Sequence, residues 1–347
     1  MFVFDHPSFD DHEGVHVFAD PASGLKAIIS IHSTLRGPSS GGCRLWSYKT
    51  EDAAIDDALR LSRAMSYKNV MANLELGGGK SVILKPEGDF DRKALFTAFG
   101  KAVHTLGGKY IVAEDVGVSP ADMEIIKTQT PYVAGLNSGE AASGDPSPIT
   151  AKGVFLGLCA AVKHRLGNDS VRGLTVAVQG IGHVGYALCR HLHEAGAHLI
   201  VTDINQDALD SAKAEFDAVV VEPDEIYKQD ADIFAPCALG RAINPDSLLQ
   251  LKVMIVAGAA NNQLSTPEMG AALHRQNILF APDYVINAGG IINIASEVSG
   301  TYDLDWVRGK LDELEVTTRE IFAISARENR PANEVADKMA RERLGRS

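Results

Sequence analysis

The sequence lacks the features that mark several large classes of protein. It contains no run of eighteen apolar residues, which argues against a membrane-spanning helix. Its four cysteines are widely spaced and form no Cys-x-x-Cys pair, so we expect neither a disulfide framework nor a zinc site. Positive charge is scarce as well: the formal net charge is -12 and no Lys/Arg run is present, so nucleic acid is not an expected partner.

The amino terminus lacks the pattern of a secretory signal. Residues 1–14 carry Asp5, Asp10, Asp11 and Glu13 where a signal would have a basic segment followed by an apolar one. We therefore expect a cytoplasmic protein with reduced thiols and no membrane association. At 347 residues, 45% of them hydrophobic, the chain exceeds the size at which one core keeps growing. Two domains with a ligand-binding cleft between them are predicted.

A segment rich in Gly, Ser and Pro at 137–148 predicts the domain boundary. Short strands and two helices precede it, and apolar strands alternating with helices follow it, which indicates a mixed sheet and then a parallel one. The predicted fold class is α/β: a mixed-sheet substrate domain at 1–145 and a Rossmann-type dinucleotide-binding domain at 146–324. The helical tail at 325–347 is predicted to pack back on the first domain.

A dinucleotide fingerprint lies in the second half, at Gly180-Ile181-Gly182-His183-Val184-Gly185. It follows a predicted strand, opens a predicted helix and precedes Asp203 at the end of the next strand. Gly182 would let a pyrophosphate approach the helix amino terminus, and Asp203 would accept hydrogen bonds from the adenosine ribose. Because that carboxylate would repel a 2′-phosphate and no arginine follows it directly, the pattern predicts NAD as cofactor.

Two lysines in the first half are candidates for chemistry. Lys80 ends the run Gly77-Gly78-Gly79-Lys80, where glycines let backbone and substrate come close. Lys68 ends a helical stripe that also contains Ala58, Leu61 and Met65, a place that a solvated lysine would not normally occupy. A lysine that remains charged suits a substrate carboxylate, whereas a lysine with restricted solvation near a second cation suits a general base.

Several motifs together resemble the leucine/phenylalanine/valine dehydrogenase family of glutamate dehydrogenase-like amino acid dehydrogenases, with leucine dehydrogenase as the nearest type. The resemblance covers nearly the whole chain. It implies reversible oxidative deamination of an L-amino acid to a 2-oxo acid and ammonia. The matching segments are Gly37-Pro38, Gly41-Gly42-Cys43-Arg44, Lys68, Gly77-Gly78-Gly79-Lys80, Ala113-Glu114-Asp115-Val116-Gly117, Ser147-Pro148-Ile149-Thr150 and Asn287-Ala288-Gly289-Gly290.

The resemblance also implies roles for individual residues. It gives Asp115 proton transfer to and from the amino group or water, although position alone would leave Asp115 as a solvated loop carboxylate. It places Thr150 and Asn287 near the nicotinamide and Asn262 beside cofactor or substrate carboxylate. The alternative for Asn262 and Asn287 is loop capping after a strand.

The resemblance further indicates an apolar substrate. A glutamate-specific pocket of this family would carry a lysine and a hydroxyl where this chain has Ser40 and Ile294. A buried second carboxylate would then lack a cation, at a cost of several kcal/mol. Ala113 resembles the leucine type, which favours a branched aliphatic side chain, whereas Ser40 leaves room for an aromatic one.

The candidate site residues form three groups, and no metal is predicted because His191, His193 and His198 do not share a face. The predicted catalytic residues are Lys80 and Asp115. The predicted substrate-binding residues are Ser40, Gly41, Met65, Lys68, Ala113, Asn262, Ile291 and Ile294. The predicted cofactor-binding residues are Thr150, Gly180, Gly182, His183, Val184, Gly185, Asp203, Cys237, Ala238, Asn261 and Asn287.

Two other functions remain compatible with the sequence. One is a dehydrogenase for phenylalanine or another aromatic amino acid, and the other is a non-catalytic NAD-binding metabolite sensor. A 2-hydroxy acid dehydrogenase would need a cleft histidine beside an arginine, which these motifs do not supply. The expected partners are a small amino acid or 2-oxo acid and further copies of the chain, as a dimer or octamer.

Overall fold

The computed structural model describes residues 3–136, 144–298, 300 and 302–346, so most of the predicted boundary segment lies outside the described residues. The chain divides into two compact units. The first unit contains the chain up to Gly144 together with Ile294–Leu304 and Arg343–Arg346. The second unit contains Asp145–Asn293 and Asp305–Glu342.

The first unit is built on a five-stranded mixed sheet in the order β1-β2-β4-β3-β5. The pairs β1–β2 and β2–β4 are antiparallel, and β3 is parallel to both β4 and β5. The strands are β1 (Gly14–Asp20), β2 (Leu25–Ser33), β3 (Ser39–Trp46), β4 (Gly77–Leu84) and β5 (Tyr110–Glu114); the helices are α1 (Glu51–Met71), α2 (Arg92–Thr105) and α3 (Pro120–Lys127).

Apolar side chains cover one face of this sheet and α1 covers the other. On the first face, Cys43, Ile83 and Val112 pack with Phe96 and Phe99 of α2. Residues at alternate positions of the same strands point to the opposite face. That second face contains the charged side chains of Arg44, Lys80 and Asp115.

Helix α1 lies close to β4 because β4 begins with glycines. A Cβ at Gly78 would lie 2.1 Å from the backbone nitrogen of Ser66, so any side chain there would push the helix away. Asn69 then donates a hydrogen bond to the Gly77 carbonyl at 2.6 Å. The buried face of α1 therefore includes Ser62, Ser66 and Asn69. Of the predicted stripe, Ala58 is buried, whereas Leu61, Met65 and Lys68 are half-buried.

Two details of the sheet differ from expectation. The glycine run that precedes Lys80 was not predicted as strand, but Gly77-Gly78-Gly79 is the first part of β4, because close packing against α1 and β3 favours residues without side chains. Strand β3 was not predicted at all. It lies between β4 and β5 although its first four residues, Ser-Ser-Gly-Gly, have low strand propensity.

The second unit contains a parallel six-stranded sheet in the order β11-β10-β9-β6-β7-β8. A mixed sheet in one unit and a parallel sheet in the other confirm the predicted α/β class. The strands are β6 (Thr175–Gln179), β7 (His198–Thr202), β8 (Val219–Val220), β9 (Ile233–Pro236), β10 (Ile255–Val256) and β11 (Leu279–Phe280). The helices are α4 (Ser147–Leu166), α5 (His183–Glu194), α6 (Gln206–Phe216), α7 (Pro245–Leu248), α8 (Glu268–Arg275), α9 (Asp283–Ile286), α10 (Gly289–Val298, whose last residues belong to the first unit), α11 (Leu304–Glu328) and α12 (Ala332–Arg343).

The packing of residues 325–347 on the first domain stays a prediction, and the described residues of this segment are divided between the two units. Residues 325–342 belong to the second unit, and only 343–346 join the first. The reason is local packing: Asn333 fits against Gly270 of α8, and the Tyr284 hydroxyl donates to Asp337 at 2.9 Å. Among the described residues, no helix is long and apolar enough to span a membrane.

A buried polar network holds α1 to β2. His32 Nδ1 lies 2.7 Å from Ser66 Oγ, and Arg346 Nη1 donates to His32 Nε2 at 2.5 Å. Burial, followed by the positive charge of Arg346, lowers the pKa of His32 to about 3. The folded first unit therefore requires the neutral imidazole at this position.

We expect this histidine to make stability depend on pH. A histidine in the unfolded chain titrates near 6.5. Above that pH, the neutral His32 makes its full contribution to the free energy of unfolding. This contribution is lost as pH falls toward 3, by at most about 1.4 kcal/mol per pH unit. The free energy of unfolding, measured with urea between pH 5 and 7, should depend less steeply on pH in His32→Asn than in the unmodified chain. His198→Asn, at an exposed histidine, should keep the pH dependence of the unmodified chain. If His32→Asn kept it too, the pH dependence would have to come from another group.

Candidate active site

Lys80 and Asp115 form a close ion pair on the α1 face of the first unit. Lys80 Nζ donates to Asp115 Oδ2 at 2.6 Å, and the Lys80 residue is only 6% exposed. Gly42 of β3 leaves room for this pair. A Cβ there would lie 2.6 Å from Asp115 Cβ and 3.1 Å from Lys80 Nζ. The two predicted catalytic residues, 35 positions apart, are thus brought into direct contact.

Arg44 is a functional candidate that sequence reasoning missed. Its Nε donates to the same Asp115 Oδ2 at 3.0 Å, and its Nη1 donates to Asp57 Oδ2 at 2.7 Å. Asp57 also accepts from Tyr48 at 2.8 Å and from Arg60 at 2.7 Å. Arg44 belongs to the motif Gly41-Gly42-Cys43-Arg44, but its partners are distant in sequence, so only the fold reveals the contact.

The electrostatics of the pair favour an ionised Asp115 and a weakened hold of Lys80 on its proton. Burial is the largest influence on the pKa of Lys80 and lowers it; Asp115 opposes this and Arg44 adds to it, so the net direction is down. For Asp115, burial raises the pKa, but Lys80 and Arg44 together outweigh burial and lower it. A lysine with a depressed pKa beside a fixed carboxylate is an arrangement suited to proton transfer.

The predicted substrate-binding residues of the first unit lie on neighbouring elements. Lys68 and Met65 are half-buried in the last turns of α1. Ser40 is fully buried on β3, and its Oγ has no hydrogen-bond partner among the described residues. Ala113 is buried on β5 opposite Gly42. Gly41 belongs to the other face of the sheet, where a Cβ would lie 1.8 Å from the Gly79 carbonyl oxygen.

The glycine fingerprint of the second unit forms the turn from β6 into α5. Gly182 is the N-cap of α5 without a side-chain cap bond, and no atom lies within 4 Å of where its Cβ would be. Gly185 packs against the Gly180 carbonyl, and His183 and Val184 begin the helix. The first amide groups of α5 therefore face open space, as a phosphate site requires.

A cavity of about 560 Å³ adjoins this helix terminus. It is lined by Gly182, His183 and Asn205, among others. Asp203 accepts from the Ile181 amide at 2.6 Å and from the Asn205 amide at 2.8 Å, which fixes its carboxylate beside the glycine turn.

Arg190 also lines this cavity and was missed by sequence reasoning, which considered only residues directly after Asp203. Its guanidinium is paired with Glu215 at 2.8 Å. The Tyr186 hydroxyl donates to the same Glu215 side chain at 2.5 Å. An arginine is therefore present near the predicted ribose site, but its charge already has a partner.

The remaining predicted cofactor residues lie in two groups within the second unit. Asn287 Nδ2 donates to Asn261 Oδ1 at 2.9 Å, whereas Asn287 Oδ1 is buried without a partner among the described residues. Thr150 Oγ1 lies 3.1 Å from where a Cβ of Gly290 would be. Ala238 packs against Gly180, and burial raises the pKa of the neighbouring Cys237 thiol to about 12, so this thiol is inert near neutral pH.

Three predicted substrate residues lie outside the α1 face. Asn262 is exposed in the left-handed conformation with φ 52, as a loop residue would be. Ile291 is buried and Ile294 is half-buried on α10, three residues apart on one side of the helix. Among the described residues, no group of three or more His, Cys, Asp or Glu side chains is placed to hold a metal ion.

Comparison with known proteins identifies the family of the chain. A family model described as Glu/Leu/Phe/Val dehydrogenase, dimerisation domain, matches residues 12–132. A second model, described as Glutamate/Leucine/Phenylalanine/Valine dehydrogenase, matches residues 201–337. The chain belongs to the Glu/Leu/Phe/Val dehydrogenase family. This confirms the resemblance predicted from the motifs and makes the protein an amino acid dehydrogenase, an oxidoreductase.

Individual relatives cover almost the full length of this dehydrogenase. Leucine dehydrogenase of Bacillus subtilis (strain 168) is 49% identical over 346 residues, with 100% of this chain and 95% of the relative covered. Valine dehydrogenase of Streptomyces virginiae is 42% identical, with 98% and 95% covered. The crystal structure of L-tryptophan dehydrogenase from Nostoc punctiforme superposes with a TM-score of 0.87 at 42% identity over 96% of each chain.

The family implies a nicotinamide dinucleotide cofactor, and the residues of the second unit fit such a group. In the part of the chain that the structure describes, no side chain caps the amino terminus of α5, and the buried Asn287 Oδ1 is an acceptor without a donor. Both are features that a bound dinucleotide would satisfy.

Proposed function

We propose that this amino acid dehydrogenase catalyses NAD-dependent, reversible oxidative deamination of a branched-chain L-amino acid to the 2-oxo acid and ammonia. The observation that carries the proposal is the buried ion pair of Lys80 and Asp115, on the sheet face covered by the helix that carries Lys68. The pair supplies a base and an acid at one place. The full-length similarity to leucine and valine dehydrogenases supports the choice of substrate class.

Each residue of this proposal has a separate task. Lys68 binds the α-carboxylate as a point charge. Asp115 accepts a proton from the substrate ammonium group, so that the nitrogen lone pair is available. When bound, the nicotinamide supplies the acceptor for the α-hydrogen as hydride. Neutral Lys80 then removes a proton from the water that attacks the iminium carbon, which gives a carbinolamine. Asp115 returns its proton to the amino nitrogen, and as the C–N bond breaks, ammonia leaves, the hydroxyl oxygen becomes the 2-oxo group, and the hydroxyl proton passes to the ionised Asp115.

The lowered pKa of Lys80 supports its role as base. Burial removes water from the ammonium group and Arg44 repels it, so the neutral amine is more populated than for a solvated lysine. Asp115 alone would hold the proton on Lys80. A metal has no task in this scheme, because hydride leaves carbon directly.

The predicted pocket supports an apolar side chain. Ser40 and Ala113 lie on the same sheet face, since both positions alternate with core-facing residues of β3 and β5. Neither carries a charge, and neither does Ile294, which belongs to the same unit. A substrate side chain ending in a carboxylate would therefore be left without a cation.

We expect a panel of amino acids to show this preference in NADH formation. L-Leucine, L-valine and L-isoleucine should exceed L-phenylalanine in kcat/KM by about 10-fold, since differences of this size in an apolar pocket are worth about 1–3 kcal/mol. L-Glutamate should be at least about 100-fold worse, because an unpaired buried carboxylate costs several kcal/mol. A preference for phenylalanine or tryptophan would refute the branched-chain assignment while leaving the reaction class intact.

Oxidation of an aromatic amino acid is the second candidate, and one observation favours it. Ser40 is a small residue at a position of the predicted pocket, and its buried Oγ lacks a partner among the described residues. The similarity to an L-tryptophan dehydrogenase also supports an aromatic substrate. A non-catalytic sensor is disfavoured, because a sensor has no need to retain Lys80 and Asp115 in contact.

The cofactor preference is a separate prediction. We expect kcat/KM with NAD to exceed that with NADP by about 100-fold or more, because juxtaposed like charges cost several kcal/mol. Asp203 would face a 2′-phosphate, and Glu215 already neutralises Arg190. Asp203→Asn should narrow the ratio, whereas Asp217→Asn, an exposed aspartate of the same unit, should not. Comparable efficiency with both cofactors in the unmodified enzyme would contradict the proposal.

We also propose that the chain forms a homo-oligomer, a dimer or an octamer. The family model that matches residues 12–132 is described as a dimerisation domain, which supports self-association through the first unit. Sedimentation or light scattering of the purified protein distinguishes the two assemblies from a monomer.

A further inference from the structure

Arg44 joins two carboxylates that no other described contact connects. Its Nε donates to Asp115 Oδ2 at 3.0 Å and its Nη1 donates to Asp57 Oδ2 at 2.7 Å. Three-quarters of the Arg44 side chain is shielded, with 23% exposed. A guanidinium holds its donors in a fixed planar fork, so it can maintain both bonds at once, whereas a lysine offers one ammonium group.

The far end of this arginine is itself anchored. Asp57 lies on α1 with 12% of its side chain exposed and accepts hydrogen bonds from Tyr48 at 2.8 Å and Arg60 at 2.7 Å. Arg44, which sits on β3, therefore links the first helix to the residue that follows β5. A movement of α1 relative to the sheet would be transmitted to Asp115 through this link.

We propose that Arg44 is a positioning residue that fixes the Asp115 carboxylate against Lys80 and is held in place by Asp57. This inference rests on the proposed function, in which Asp115 transfers a proton at the amino group. Arg44 occupies the same oxygen as Lys80, so it takes part of the negative charge that would otherwise belong to Lys80 alone. It therefore acts on the reaction through the Asp115 carboxylate.

The surroundings of Lys80 give this arrangement a consequence for pH dependence. Besides Asp115, the titratable groups that influence the pKa of Lys80 are Arg44 and the Cys43 thiol, both on β3. Burial raises the pKa of Cys43 to about 12, so this thiol is uncharged near neutral pH. Helix α1 contributes Asp57 beside Arg44 and carries Lys68 about three turns further along.

Tyr110 lies behind the pair, and burial raises its pKa well above the usual value, so it too is neutral. Arg44 is then the cation of this shell that lowers the pKa of Lys80. Removing it leaves Lys80 with Asp115 as its near charged partner. The ascending limb of the pH profile, which reports neutral Lys80, should move to higher pH.

The test is the pH dependence of kcat and kcat/KM for amino acid oxidation in three variants. In Arg44→Gln, we expect kcat to fall by about 10- to 100-fold and the ascending limb to move up by about one pH unit. Arg44→Lys keeps the positive charge but cannot bond to Asp115 and Asp57 at once. In this variant kcat should fall, and the ascending limb should move less than in Arg44→Gln. In Asp57→Asn, kcat should fall several-fold while KM for the amino acid changes little.

Arg92→Gln is the matched control. Arg92 is another arginine of the first unit that bonds to an aspartate, at 2.6 Å from Asp122, but it is not among the groups that shift the pKa of Lys80. This variant should lose stability without displacing the limb. If Arg44 had only a structural role, Arg44→Gln would behave like Arg92→Gln: it would lose stability and leave the ascending limb in place.

Folded Arg44→Gln and Arg44→Lys enzymes with unchanged kcat and an unmoved limb would overturn the inference. If Arg44→Gln does not fold, Arg44→Lys and Asp57→Asn decide, and unchanged kcat in both overturns it equally. Failure of the proposed function looks different. In that case the unmodified enzyme oxidises no amino acid, or turnover survives the loss of Lys80, whatever Arg44 does.

Discussion

Replacing Lys80 with alanine is expected to lower kcat for amino acid oxidation by about 10³-fold or more, since general base catalysis contributes 10²–10⁴-fold and a charge is lost from the site as well. NADH binding should persist. Lys80 lies in the first unit, whereas the glycine turn, the open amino terminus of α5 and Asp203 lie in the second. The measurements are steady-state kinetics and a fluorescence titration with NADH.

Lys85→Ala is the control for this change. Lys85 directly follows β4 but is exposed, so its loss removes a lysine from the end of the same strand without touching the ion pair. It should keep the activity of the unmodified enzyme. If Lys80→Ala lost both turnover and NADH binding, the assignment of Lys80 as a base acting apart from the cofactor site would have to be withdrawn, because the lesion would then be a general one.

The parts of the fold that follow from local pattern could be predicted from the sequence. The strands of the second unit are short apolar runs separated by helical periodicity, and a parallel sheet follows from that rhythm alone. Strand β3 could not be predicted in this way. Its Ser-Ser-Gly-Gly start forms a central strand because Gly42 and Gly41 allow Asp115 and the neighbouring strand to approach, and that requirement comes from the tertiary structure.

The candidate site shows the same division. Lys80 and Asp115 are contained in compact motifs, so the sequence names them, although it does not establish that they touch. Arg44 was visible in a motif but had no assigned role, because its partners Asp57 and Asp115 lie 13 and 71 positions away. Contacts of this separation depend on how α1 and β5 are placed around β3, which no periodicity encodes.

The stripe that drew attention to Lys68 was a partial guide. Lys68 is half-buried, but the deeply buried face of α1 is the neighbouring one with Ser62 and Ser66. The glycines of β4 bring the helix backbone close to the sheet, and small polar side chains then fill the contact. Lys68 is consequently placed at the edge of the buried face, where an ammonium group can keep its charge.

Replacing Lys68 with alanine should therefore act on substrate binding more than on chemistry. A hydrogen bond to a charged group is worth about 1.5–3 kcal/mol, so the affinity for ligands with a carboxylate should fall by about 10- to 100-fold. Inhibition by 4-methylpentanoate, which keeps the carboxylate and lacks the amine, should weaken by this factor. Inhibition by 3-methylbutan-1-amine, which lacks the carboxylate, should change far less.

Lys127→Ala provides a matched control, because Lys127 also lies in the last turn of a helix of the first unit and is exposed. It should leave both inhibition constants unchanged. Equal losses for the acid and the amine in Lys68→Ala would remove the carboxylate role, since a point charge that recognises the carboxylate has no reason to affect the amine. In that case Lys68 would act through the position of α1, and the carboxylate would need another cation in the site.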